Sequence, residues 1–167
     1  MNYKQILKKM MLCFSIIALV TIAVPHVFVH SVYAAKSTTK ATTGEVQALA
    51  LLNSDRAKHG LAPLVYNAEL NKLAETYADD MIKRGFFAHN NPEGLTPFDR
   101  MKKANISYQY AGENLALNDT VEAAEIAFMN SPKHRENILN PHYTEVGIGV
   151  KHGPNGKVYV VQEFIGK

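Results

Sequence analysis

Five of the seven His residues fall beyond residue 34, at positions 59, 89, 134, 142 and 152, and two of these stand where an imidazole could do chemistry. His89 lies in Gly85-Phe86-Phe87-Ala88-His89-Asn90-Asn91-Pro92, just past the end of a strongly patterned helix. A loop side chain positioned by a rigid element is a common functional arrangement. His134 lies in Asn130-Ser131-Pro132-Lys133-His134-Arg135-Glu136-Asn137, in the first turn of a helix. Between them, Ala111-Gly112-Glu113-Asn114-Leu115-Ala116 places a lone carboxylate in an apolar, Gly-preceded stretch, where burying a charge is expensive without a partner. Two imidazoles and a carboxylate are acid–base groups and ligands for divalent ions.

Spacing alone does not join the three. There is no HExxH, no CxxC and no closely spaced His pair, so motif evidence for zinc is weak, and an isolated His is more often a hydrogen-bonded structural residue than a ligand. Ser131 and His134 are three residues apart and imitate a nucleophile–base pair, but a Ser before Pro at a helix start is read as a cap. His59 before Gly60 reads as a partner for a helix C-terminus, His152 as a solvated turn residue, and Phe86-Phe87 as core.

The elements that must hold these residues follow from periodicity. Thr43 is the expected N-cap of a first helix, with Val46, Leu49, Leu52, Asn53 and Arg56 on one face and Gly60 beyond its end. Asn67 caps a second, whose stripe is Leu70, Leu73, Ala74, Tyr77, Ala78, Met81 and Ile82, ended by Gly85. Thr96-Pro97-Phe98-Asp99 opens a short third. Thr120 starts a fourth, offering Val121, Ala124, Ile126, Ala127 and Phe128 for burial, and Ser131-Pro132 restarts helix through Leu139. A strand is expected over 107–113. Val146, Ile148 and Val150 then alternate with Glu145, Gly147 and Gly149, and Gly153-Pro154-Asn155-Gly156 joins them to the β-prone run 158–165 as an antiparallel hairpin. Helices early and strands late, without βαβ alternation, indicate α+β.

Residues 1–34 read as an export signal: Lys4, Lys8 and Lys9 precede an apolar run, and Val32-Tyr33-Ala34-Ala35 offers a peptidase site. Left uncut, the run is long enough to anchor the chain in a membrane. Cys13 comes too early for a lipoprotein and lacks the preceding small residue. Residues 35–43 form a small, polar linker, and 44–167 the folded domain. The +3 net charge of the chain resides in the signal, which holds three Lys and no acid; the remainder carries 15 basic and 15 acidic residues and no Cys. A neutral domain gives no electrostatic reason to expect nucleic acid. A Cys-free exported domain must be held by its core and leans towards a bacterial exporter.

Six segments occur in an order that resembles the CAP superfamily, or SCP domain, of cysteine-rich secretory, antigen 5 and pathogenesis-related 1 proteins. They are residues 51–56 (LLNSDR), 60–64 (GLAPL), 87–90 (FAHN), 112–116 (GENLA), 130–139 (NSPKHRENIL) and 146–150 (VGIGV). The likeness is to the compact bacterial branch and covers about 45–166. It implies an α-β-α sandwich with a mainly antiparallel sheet, and a cavity to which His89, Glu113 and His134 contribute. Some relatives hold zinc or another divalent ion through the two His. Where many animal and plant members carry a second Glu, this chain has Asn130 and Ser131, so the fourth cavity position is polar and not acidic. Leu117 and Phe128 replace frequent Trp positions.

The resemblance leaves three functions open. The first is a secreted or envelope-associated binding module, taking a divalent ion and a small-molecule, lipid or peptide ligand, with possible cell-wall association and no membrane span once the signal is removed. The second is a metal-dependent peptidase or cell-wall hydrolase with Glu113 as general base. The third is a structural His/Glu cluster with function on another surface.

Overall fold

The structure, a computed structural model, describes residues 41–167; the expected signal, its cleavage site and the linker up to residue 40 lie outside the described residues. Within them five helices and four strands follow: α1 (Thr43–Lys58), β1 (Val65–Tyr66), α2 (Ala68–Arg84), α3 (Pro97–Lys103), β2 (Tyr110–Asn118), α4 (Val121–Asn130), α5 (Pro132–Ile138), β3 (Glu145–His152) and β4 (Val158–Gly166). The sheet order is β1-β3-β4-β2. β4 pairs antiparallel with both β3 and β2, as the hairpin reading required, while the two-residue β1 adds to β3 in parallel. The sheet is therefore mixed. Among the described residues no helix is long and apolar enough to cross a membrane.

Helix boundaries follow local chemistry. The cap of α1 is Thr42 and not Thr43: its hydroxyl accepts from the Glu45 N–H while the Glu45 carboxylate accepts from the Thr42 N–H, a reciprocal pair that Thr43 has no acid in position to make. Asn67 caps α2, and Gly85 ends it in the left-handed conformation. Thr96 and Asp99 form a second capping box on α3.

Both faces of the sheet are covered. On one side Ala48 and Leu52 of α1, Val121, Ala124 and Phe128 of α4 and Ile138 of α5 pack on Val146, Ile148, Val150, Val160 and Phe164. On the other, Ala74, Tyr77, Ala78 and Met81 of α2 pack on Leu115 and Val161. The glycines that alternate with the β3 valines face α2. A Cβ on Gly147 would lie 2.2 Å from the Leu70 carbonyl carbon, and one on Gly149 2.4 Å from that of Ala74. These two positions lack side chains because the helix backbone occupies the space.

Four burial expectations fail. Val46 is exposed, while Arg56 goes inside along with Ala48 and Leu52, donating to the carbonyls of Ala62, Ile138 and Asn140. Ile126 is 63% exposed and Ala127 is exposed too, and Glu125 takes the inward slot instead. Phe87 is exposed, touching Tyr159 edge-on, whereas Phe86 packs against Tyr77. The strand expected at 107–113 begins and ends later, at Tyr110–Asn118, because its register is set by pairing with β4.

Candidate functional site

Alternation along β2 sends neighbouring side chains to opposite faces of the sheet. Glu113, opposite Glu163 in register, lies on the α2 side, and Asn114, opposite Gln162, lies on the α4 and α5 side. β2 is an edge strand, so the site is assembled around the edge and not on one face.

His89 comes to Glu113 from the loop after α2. Its Nδ1 stands 2.7 Å from Glu113 Oε1. A carboxylate only accepts, so Nδ1 carries the proton of this bond, and Nε2 offers a lone pair whenever the ring is neutral. The His89 side chain is 53% exposed while that of Glu113 is 1% exposed. The loop is held by its own backbone: the Tyr77 hydroxyl donates to the carbonyls of Ala88 (2.6 Å) and His89 (3.0 Å).

Arg100 of α3 ties this side together. One terminal nitrogen donates to the His89 carbonyl (2.8 Å) and the other to Glu113 Oε2. The guanidinium lies over the Tyr77 ring, 3.4 Å from its centroid. Glu163 is fully buried, 3.6 Å from Arg100, and neither of its oxygens has a hydrogen-bond partner among the described residues. Burial, and next the charge of Glu113, push the Glu163 carboxyl well above the usual range. Burial pushes the Tyr77 hydroxyl up to about 12, so it remains a donor. One cation thus serves two buried carboxyls, and burial favours the protonated form of Glu163.

His134 sits on the other side of β2. Its ring lies edge-on to Phe128 at 5.2 Å, and its carbonyl accepts from Asn114 Nδ2 at 3.1 Å. Burial, and then the nearby charge of His89, lower its basicity. Asn130 is exposed and lines a groove between α1 and α4 with Leu51, Asp55 and Lys58. Ser131 is half-buried at the start of α5, but its hydroxyl makes no capping bond, contrary to the cap reading.

The donor set partly fits a metal. A ring that gives its Nδ1–H to a carboxylate is oriented and made more basic at the other nitrogen, as metal-binding imidazoles generally are. Glu113, however, has one oxygen on His89 and the other on Arg100, which makes it a support and not a free ligand. Among the described residues no group of three or more His, Cys, Asp or Glu is placed to hold an ion. The residues sequence reading missed are Arg100, Tyr77, Glu163 and Glu125. Glu125 had a legible signal, since 121, 124, 125 and 128 share one helix face. The others became visible only through strand register and loop closure.

The comparisons agree with this architecture. The chain is 42% identical over 124 residues to YkwD of Bacillus subtilis strain 168, covering 74% of this chain and 47% of that protein; the match thus spans about half of that relative's length. A solved extracellular protein containing an SCP domain from Bacillus anthracis superposes with a TM-score of 0.69 at 28% identity, over 78% of this chain and 45% of that one. An outer surface protein of Borrelia burgdorferi superposes with a TM-score of 0.69 at 24% identity, over 77% and 96%, and shares the fold. Residues 49–164 match the family described as "CAP: Cysteine-rich secretory protein family", and the chain belongs to that family.

Proposed function

We propose that this CAP domain is a binding module of the cell exterior or envelope, whose edge-strand cleft takes a divalent cation such as zinc on His89 and His134 and, over it, a small-molecule, lipid or peptide ligand. Exterior placement draws on the extracellular and outer-surface relatives together with the signal-like residues 1–34. The observation that carries the cleft is the His89–Glu113–Arg100 chain: a buried ion pair fixes one nitrogen of a half-exposed imidazole and leaves the other available. Two imidazoles give an exchangeable ion with open positions, not a closed structural centre. Asn130 and Ser131 supply polar groups where the chain passes from α4 to α5.

The hydrolase reading is weaker on the same geometry. A general base needs a lone pair directed at water, and both Glu113 oxygens are engaged. The structural reading holds for Glu113 and Arg100 but does not account for a half-exposed His89.

Calorimetric titration of the purified protein with zinc tests the proposal. Saturable uptake lost in both His89→Ala and His134→Ala supports it. Identical titrations of wild type and the two variants would refute it.

A further inference from the structure

Glu125 of α4 is 4% exposed and stands outside the cleft. Its Oε2 accepts from Gln162 Nε2 at 3.0 Å. Gln162 Oε1 in turn accepts from Asn114 Nδ2 at 3.1 Å, and that same Nδ2 donates to the His134 carbonyl at 3.1 Å. Asn114 Oδ1 accepts from Asn137 Nδ2 (2.9 Å), which also donates to the Glu113 carbonyl (3.2 Å), and Asn137 Oδ1 accepts from the Tyr143 hydroxyl (3.4 Å). Every side-chain bond in this chain runs in one direction, from Tyr143 to Glu125. The terminus is a carboxylate, which can only accept, so Glu125 fixes which way the Gln162 amide faces and hence which atom Gln162 offers to Asn114.

A buried carboxylate is an expensive way to end such a chain, since an amide oxygen could accept the same bond. Glu125 Oε1 has no hydrogen-bond partner among the described residues. What a carboxyl adds is a change of state. We infer that Glu125 is a positioning residue for the cleft, acting through Gln162 and Asn114 to hold the His134 turn against β2, more firmly when ionised than when protonated.

The inference rests on the cleft reading for its functional meaning, but the relay itself stands on the bonds above. A charged acceptor makes the stronger hydrogen bond, so ionisation tightens the Gln162 end. Burial pushes the Glu125 carboxyl up to about 7, where both states are populated near neutral pH. The charges that face it are Asp55 and Lys58 of α1, of opposite sign. β4 presents the uncharged Gln162, and on α4 itself Glu122 is exposed and bonded to Gln47.

The test is a pH titration of the full chain by nuclear magnetic resonance. It follows the Asn114 and Gln162 side-chain amides and the Arg135 N–H, whose peptide carries the His134 carbonyl. In wild type these signals should shift together with a midpoint of about 7. In Glu125→Gln, which keeps an accepting oxygen without the charge, that step should vanish, and the signals should stay fixed across this pH range. Imidazole steps occur in both proteins, so the difference between them reads Glu125. In Glu125→Ala the Asn114 and Arg135 signals should be displaced at every pH, with zinc uptake at pH 8 weakened about tenfold and restored in Glu125→Gln.

An unchanged step in Glu125→Gln, or an unmoved Asn114 amide in Glu125→Ala, overturns the inference. Should Glu125→Ala fail to fold, the Glu125→Gln titration decides. A wild type that takes up no zinc sinks the cleft reading and leaves the relay to be judged on its resonances.

Discussion

Glu113 and Glu163 stand directly opposite each other on β2 and β4, with the single guanidinium of Arg100 against both. Burial and the neighbouring carboxylate push the Glu163 carboxyl well above the usual range, which favours a pair in which only one of the two is charged. The consequence is that Arg100 cannot be removed without leaving a buried charge unpaired. Arg100→Ala should cost roughly 3–5 kcal/mol in urea unfolding, because it leaves Glu113 buried without a counter-ion. Arg100→Lys should recover only part, since an ammonium cannot reach the His89 carbonyl and Glu113 in one plane while stacking on Tyr77.

Glu125 makes stability depend on pH in a direction that can be checked. Its folded pKa of about 7 lies above the ordinary 4.5, so the unfolded chain releases the proton first. The folded state is then penalised progressively as pH rises from 4.5 to 7, and the penalty is constant above that. Relative to Glu125→Gln, wild type should lose up to about 3 kcal/mol across this window. Denaturant midpoints at pH 4.5 and about 7.5 for the two proteins measure it.

The α2–β3 contact sets a steric limit. Gly147→Ala should abolish folding or lower stability by more than about 4 kcal/mol, because the added methyl meets helix backbone that cannot move without lifting α2 from the sheet. The control is Gly156→Ala in the exposed turn, where nothing lies within 4 Å and only the positive φ resists; it should cost about 1 kcal/mol. Soluble yield and melting temperature distinguish them.

His89 and His134 should separate binding from stability. His89 is half-exposed, so His89→Ala should change unfolding free energy by no more than about 1 kcal/mol while removing zinc uptake. For His134, burial and the nearby charge of His89 hold the folded pKa below the ordinary 6.5. Its contribution to stability is therefore present above 6.5 and lost as pH falls below it, and His134→Gln should flatten that acid limb of the stability profile.

Much of this was legible in sequence for reasons that lie in local chemistry. Asn67, Thr96 and the turn at 153–156 behave as their side chains dictate, and the stripe from Leu70 to Met81 buries where its period says. The convergence of His89 on Glu113 came from resemblance and not from spacing, since 24 residues separate them. Arg100 and Glu163 stayed hidden because a charge in a short helix and a charge in a β-prone run are each ordinary until register puts them together. The inward turn of Glu125 was available from periodicity but was outweighed by the assumption that Ile126 must be the buried neighbour.

The edge position of β2 also bears on how the domain avoids pairing with other chains. An open strand invites another molecule to add to it. Here Asn137 takes the Glu113 carbonyl and α5 lies alongside β2, so the helix that carries His134 also denies part of that ladder to an incoming strand. A variant that frees α5 should therefore self-associate, exposing together the imidazole and the hydrogen-bonding groups that intermolecular sheet growth requires.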